Sequence, residues 1–341
     1  MTTRMAQEIA EQPRAVRATL DHLLPLRADL ARLAEGRRRV LLAARGTSDN
    51  AAVHARYLLE VGAGVTAGLA APSIATHYRT RLDLSDHVVV SVSQSGSTEE
   101  IVETQAWAHD CGAVTVAVTN VEGSPLARSA DLALVTQAGP EVAVPATKTY
   151  VAQLAAMAVL ADALGAGVAD ELERVPDEVE RMLPTDVGDA ATLLAEAGPV
   201  LVSGRGFLLG TALETALKLE ETCLVPVRGY SYADLRHGPI SVVTEGVVAV
   251  LVAAADGPLA GAMVDLADDL HRRGARVLGI GGNAALAAAS DVHLPGPALA
   301  EPVAPLATIV PAQLTVERLA RELGLDPDNP RGLAKITQTD T

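Results

Sequence analysis

The chain has 341 residues, 49% hydrophobic and 20% charged, which excludes a stapled miniprotein and a disordered chain and favours two domains or one duplicated unit. Its 27 Lys and Arg against 42 Asp and Glu give a net charge of −15, and aromatic residues make up only 2%, so no nucleic acid partner is expected. Cys111 and Cys223 match no zinc spacing and cannot frame a disulfide scaffold in a chain this long, so a reducing compartment is expected and no metal is.

The chain opens Met1-Thr2-Thr3-Arg4-Met5-Ala6-Gln7-Glu8, charged where a signal peptide needs an apolar run, and the protein is expected in the cytoplasm. Residues 1–38 are read as an N-terminal helical segment. Short β-branched runs then alternate with longer helical patterns, the signature of βαβ units around a parallel sheet. Strands are predicted at 40–45, 87–93, 114–119 and 131–136, and helices at about 48–62, 98–111 and 148–164. The apolar stretch 151–169 contains Gln153 and Asp162 and reads as a buried, Ala-rich helix rather than a membrane span.

After an acidic stretch at 170–189 with Pro176 and Pro184, read as a helical linker, the scheme repeats. Strands are predicted near 200–204, 247–253 and 276–280, with helices near 208–223, 258–273 and 302–323. Arg45-Gly46 and Arg205-Gly206 close two similar strands 160 positions apart, Val88 and Val248 keep that offset, and the run from Thr115 recurs near Arg276 at 161. These offsets predict two copies of one α/β unit. The expected boundaries are 39–168 for the first copy, 169–188 for the linker, 189–324 for the second copy and 325–341 for a tail.

Ser93-Gln94-Ser95-Gly96-Ser97-Thr98 lies between a strand end and the start of a helix at Glu99-Glu100. A loop of small hydroxyl residues there aims backbone N–H groups and hydroxyls at one spot that the helix dipole also favours for an anion, and a phosphomonoester fits it. A plain Ser/Thr cap is the simpler alternative, although four hydroxyls and a Gln exceed what a cap requires. The loop is neither a Walker A sequence nor GxGxxG, so ATP and dinucleotides are not indicated. The loops Arg45-Gly46-Thr47-Ser48 and Val144-Pro145-Ala146-Thr147-Lys148 are expected at the same sheet edge. The second copy's Ala253-Ala254-Ala255-Asp256-Gly257-Pro258 has an acid and no hydroxyl, so phosphate is expected in the first copy only.

Glu214, Lys218 and Glu221 are spaced i, i+4, i+7 on one predicted helix face. Two carboxylates flanking an amine suit proton transfer between neighbouring carbons, while a solvated Glu214–Lys218 pair worth ~0.3–0.5 kcal/mol is the plain alternative. His237 lies in a Gly/Pro-punctuated loop, Asp234-Leu235-Arg236-His237-Gly238-Pro239, where a lone His is more often structural than catalytic, and Lys335 reads by itself as a solvated tail charge.

Together these stretches resemble the sugar isomerase (SIS) family, specifically the isomerase half of glucosamine-6-phosphate synthase and, more closely, the glutamine-independent SIS-type glucosamine-6-phosphate deaminases. The matching elements are Arg-Gly-Thr-Ser at 45–48, Ser-Gln-Ser-Gly-Ser-Thr at 93–98, Ala-Thr-Lys at 146–148, the run 212–221, Leu-Arg-His-Gly-Pro at 235–239 and Leu-Ala-Lys at 333–335. The resemblance implies two tandem SIS domains, each a flavodoxin-like doubly wound parallel sheet. It implies that Gly46, Thr47, Ser48, Ser93, Gln94, Ser95, Thr98, Val144, Ala146 and Glu214 bind a sugar phosphate.

It further implies that His237 opens the sugar ring, Glu221 moves the proton between C1 and C2 with Lys218 assisting, and Lys335 meets the sugar carbonyl as an amine. The family's His loop comes from a neighbouring subunit, which implies a homodimer with shared sites and no cofactor. The synthase's glutaminase domain and its N-terminal Cys find no counterpart in the about 40 residues before the first strand, so glutamine is not the expected ammonia donor. Ala146 replaces the synthase's Ser, and the Val-x-Ala-Thr-Lys form and the Lys-Ile-Thr-Gln-Thr tail at 335–339 look like the deaminases.

The expected activity is conversion of glucosamine 6-phosphate and water to fructose 6-phosphate and ammonia. The rivals are another phosphosugar deaminase, isomerase or deglycase acting on galactosamine or fructosamine phosphates, an ammonia-dependent amino sugar synthase, and a non-catalytic sugar-phosphate sensor.

Overall fold

The Val-rich runs become the central strands of two all-parallel sheets, because a strand covered by helices on both faces must be apolar on both. In the computed structural model, which describes residues 2–335, the first sheet contains β1 (Arg39–Ala43), β2 (Thr66–Leu69), β3 (His87–Val92), β4 (Val114–Thr119) and β5 (Leu132–Val135) in the order β2-β1-β3-β4-β5. The second contains β6 (Val200–Gly204), β7 (Val227–Ser231), β8 (Val248–Ala253), β9 (Arg276–Gly281) and β10 (Val292–Leu294) in the order β10-β9-β8-β6-β7. Numbered within each copy, both orders are 2-1-3-4-5.

The repeat is exact at its centre: Val40 pairs with Val88 in the first sheet, and Val200 with Val248 in the second, each 160 positions later. One step further out Val88 pairs with Val114 while Val248 pairs with Arg276, so the offset there is 162 rather than the expected 161. Three strands escaped prediction, β2, β7 and β10. All lie at or next to a sheet edge, are three to five residues long and are only partly buried, so they lack a continuous apolar run.

Two compact units divide the chain. One comprises residues 14–141, 148–173 and 334–335, the other 2–13, 142–147 and 174–333. In the first, the helix Lys148–Ala163 is buried along almost its whole length, as its Ala-rich sequence predicts. Among the described residues no helix is long and apolar enough to cross a membrane. In the second, the acidic stretch is helical from Val175 to Met182 with Pro176 in its first turn, and Val175, Pro176, Val179 and Met182 bury against the helix Pro305–Glu322.

Candidate functional site

In the first unit, β3 delivers the chain into the hydroxyl loop and the helix Glu99–Asp110 leaves it. Thr98 stands at the N-cap with extended backbone, yet its side chain makes no capping bond; its Oγ1 lies 3.1 Å from the buried Ser93 Oγ. The Thr98 hydroxyl is therefore not spent on the plain cap that the sequence left open. The Gln94 carbonyl accepts from Asn120 N at 3.0 Å and Thr119 Oγ1 at 3.2 Å, and Ser95 Oγ accepts from Ser97 N at 3.2 Å.

Gly96 turns the loop at φ +61°, where a Cβ would lie 2.1 Å from Ser124 Oγ, so the position requires glycine twice over. After β1 the loop 45–48 turns at Gly46, φ +56°, into the helix Thr47–Tyr57, and Ser48 Oγ accepts from Gln153 Nε2 at 3.0 Å. Arg45 grips the buried Glu100 with two bonds of 2.8 and 2.6 Å, balancing a carboxylate in the first turn after the hydroxyl loop.

In the same unit Lys335 is no solvated tail charge. Its Nζ donates to Glu141 Oε2 at 2.7 Å, and Glu141, fully buried, also accepts from Thr149 N at 3.1 Å and Thr149 Oγ1 at 2.6 Å. Sequence reasoning missed Glu141, a single acid after Gly139-Pro140 that carries no motif. The rest of the tail motif, residues 336–341, lies outside the described residues.

In the second unit, the helix Leu209–Cys223 brings Glu214, Lys218 and Glu221 together as its spacing predicts. Lys218 Nζ lies 3.5 Å from Glu214 Oε1 and donates to Glu221 Oε2. Glu214 and Lys218 are buried, 0% and 1% exposed, so the solvated pair is ruled out; Glu221 keeps 26% of its side chain exposed. Burial pushes Lys218 down, but the Glu214 and Glu221 carboxylates outweigh it and hold the amine above the ordinary lysine range. Lys218 is thus a fixed cation rather than a base. On the same helix, burial pushes the Cys223 thiol up to about 12, which excludes a thiolate nucleophile there.

His237 is exposed just beyond the short helix Tyr232–Arg236, with its N–H donated to the carbonyls of Ala233 and Asp234. The loop 142–147 is held by the Glu8 carboxylate and the Asp328 backbone carbonyl, two residues that sequence reasoning also missed. Glu8 accepts from the N–H groups of Val142 and Ala143, and Val144 donates its N–H to the Asp328 carbonyl at 2.8 Å. That N–H of Val144 is engaged within the protein; Ala146 is partly exposed. Among the described residues no group of His, Cys, Asp and Glu is arranged to hold a metal ion.

A family model described as the SIS domain matches residues 33–163 and again 193–320, two matches whose starts lie 160 residues apart, the offset of the paired strands. The chain belongs to the SIS domain family. The isomerizing glutamine–fructose-6-phosphate aminotransferase of Methanothermobacter thermautotrophicus is 36% identical over 342 residues, covering 97% of this chain and 56% of that protein. The chain thus spans just over half the length of the curated relatives it matches.

Among solved structures, the C-terminal domain of glucosamine-fructose-6-phosphate aminotransferase from Francisella tularensis superposes with a TM-score of 0.87 at 27% identity, covering 97% of this chain and 99% of that one. A candidate phosphosugar isomerase from Silicibacter pomeroyi DSS-3 gives 0.86 at 33% identity, covering 96% and 100%. The relatives thus include the isomerase part of an amino sugar enzyme, as the motifs imply.

Proposed function

We propose that the protein is a glucosamine-6-phosphate deaminase, releasing ammonia from glucosamine 6-phosphate and water and yielding fructose 6-phosphate by aldose–ketose isomerisation. The observation that carries this reading is the buried Glu214–Lys218–Glu221 array, in which one carboxylate, Glu221, stays partly accessible beside a fixed cation. In the proposed reaction His237 assists opening of the sugar ring. Glu221 takes the proton from C2 and returns it at C1, which converts the amino-aldose to an imine at C2. The Lys335 amine meets the sugar at that carbon: it adds to the C2 imine and ammonia leaves, and water then hydrolyses the Lys335 imine, giving the ketose and the free lysine.

The phosphate is assigned to Ser48, Ser93, Gln94, Ser95 and Thr98, with Gly46, Thr47, Val144, Ala146 and Glu214 completing the sugar's contacts. The 2-1-3-4-5 order of both sheets supports reading each copy as flavodoxin-like and doubly wound. A cytoplasmic homodimer, with His237 donated by the neighbouring subunit, completes the reading. Its copies are taken as residues 39–168 and 189–324, joined by a linker at 169–188.

The identity to aminotransferases favours one second reading, the reverse reaction in which ammonia is joined to fructose 6-phosphate. A panel of amino sugar 6-phosphates assayed for ammonia release, and fructose 6-phosphate assayed with ammonium, separates the two. Stoichiometric ammonia and fructose 6-phosphate from glucosamine 6-phosphate is the expected result. Isomerisation of a sugar phosphate without ammonia release would make the protein a simple phosphosugar isomerase, and binding without turnover a sensor. Because charge-assisted hydrogen bonds to a dianion contribute ~1.5–3 kcal/mol each, unphosphorylated glucosamine should be a very poor substrate. Comparable turnover of both sugars would remove the phosphate from the 93–98 loop.

A further inference from the structure

Glu141 is a fully buried carboxylate whose oxygens accept from Thr149 N, Thr149 Oγ1 and the Nζ of Lys335, a residue 194 positions away in sequence. A carboxylate withdrawn from water needs a cation or several donors to offset its lost hydration, and Thr149 supplies only neutral ones. Lys335 brings a cation to Glu141 at 2.7 Å. Three quarters of the Lys335 side chain is withdrawn from solvent, in contrast to an ordinary lysine near a chain end.

We infer that Glu141 is the positioning residue that anchors the tail lysine: it fixes where the Lys335 amine rests, so that this amine starts each turnover from one place rather than from a solvated ensemble. The inference deepens the proposed function, on which the chemical role of Lys335 rests. Its geometric content, one buried carboxylate holding one tail lysine, stands without it. Glu141 itself touches no reacting atom in this scheme; it acts through Lys335.

Glu141→Gln keeps an oxygen for the Thr149 N–H but loses the charge that holds the ammonium. Two measurements on the full-length protein test the inference. The first needs no turnover. Trypsin must take the Lys335 side chain into its own pocket to cut after it, so release of the peptide ending at Lys335, followed by mass spectrometry under native conditions, should be at least tenfold faster in Glu141→Gln than in the wild type. An equal rate in the two proteins overturns the anchor.

The second is a double-mutant cycle on whichever sugar phosphate the panel shows to be turned over. Glu141→Gln should lower kcat by ~10–100-fold, the cost of losing a positioned group, and leave KM within about threefold. In a Lys335→Ala background it should cost nothing further. Additive losses would make Glu141 a structural residue of the helix Lys148–Ala163. If Glu141→Gln fails to fold, Lys335→Gln leaves the carboxylate and its Thr149 bonds in place. Cutting after Arg331 should then accelerate as the tail loosens, and an unchanged rate overturns the inference. Absence of turnover on every sugar phosphate would defeat the proposed function and leave the trypsin result to decide the anchor by itself.

Discussion

The two copies share a strand order and a central register, yet at the C-terminal edges of their sheets they carry different chemistry. At the offset relating Val88 to Val248, Ser93, Gln94, Ser95, Gly96, Ser97 and Thr98 become Ala253, Ala254, Ala255, Asp256, Gly257 and Pro258. Every hydroxyl is lost and an acid is gained. The second copy also brings its own anion to this edge: a Cβ on Gly257 would lie 2.1 Å from Glu301 Oε2, and one on Gly206, the counterpart of Gly46, 3.5 Å from Glu301 Oε1.

The helices differ in the opposite sense. Glu214, Lys218 and Glu221 correspond at 160 to His54, Leu58 and Val61, so the first copy has no acid/base array. On the proposed reading the fold is a scaffold used twice, with the anion assigned to the first copy and the proton transfer to the second.

The largest expected effect tests the second copy's half of this division. Glu221→Gln keeps size and hydrogen-bonding shape but cannot take a proton, so kcat should fall ~10²–10⁴-fold while affinity for the sugar phosphate, measured by calorimetry, changes little. Wild-type enzyme run in deuterated water should place deuterium at C1 of the fructose 6-phosphate formed. Near wild-type kcat in Glu221→Gln, or a matching loss of binding, would make the carboxylate structural. The mirror test is Ser95→Ala in the first copy. A lost charge-assisted bond to phosphate should raise KM by ~10–100-fold and leave kcat within a few-fold. If it lowered kcat alone, the division between the copies would fail.

What the sequence revealed follows the same physics. The central strands could be read because burial on both faces demands uninterrupted apolar runs such as Val88-Val89-Val90, whereas β2, with Thr66-Ala67-Gly68-Leu69 at an edge, carries no such demand. The hydroxyl loop's place could be read because a run of small residues falls between a strand end and a helix start, while its use for phosphate is part of the proposed function. The helix array was visible as a spacing, but i, i+4, i+7 is equally the pattern of a solvated face, and only packing revealed that Lys218 is buried between its two acids. Glu141 was out of reach, since its meaning comes from Lys335, which no local pattern connects to it.

A smaller effect compares two glycines. Alanine at Gly96 must drive its Cβ into Ser124 and Thr119, both fixed by neighbouring backbone, and should cost ~1–3 kcal/mol beyond the strain of its positive φ. Alanine at Gly257 has positive φ too, +92°, but meets only the carboxylate end of Glu301, which can swing away. Denaturant titration should therefore show Gly96→Ala as the more destabilising of the pair. Equal losses would mean that backbone strain alone governs both loops and that the packing difference between the copies is immaterial to stability.

The smallest effect isolates the anion that the second copy supplies for itself. Burial pushes the Glu301 carboxyl above its ordinary range, and the nearby Asp256 carboxylate adds to the rise. A carboxyl whose folded pKa is raised binds more protons in the folded than in the unfolded state between the two values, so stability falls as pH climbs through that window. Below the ordinary carboxylate range both states are protonated and the penalty vanishes; above the raised value it is fully present. Glu301→Gln removes the titration with little change in shape. It should raise the melting temperature slightly at pH 7 and leave it unchanged near pH 3. A fall at pH 7 would mean that the Glu301 charge stabilises the second copy, and the view of that edge as an uncompensated acidic pair would have to be abandoned.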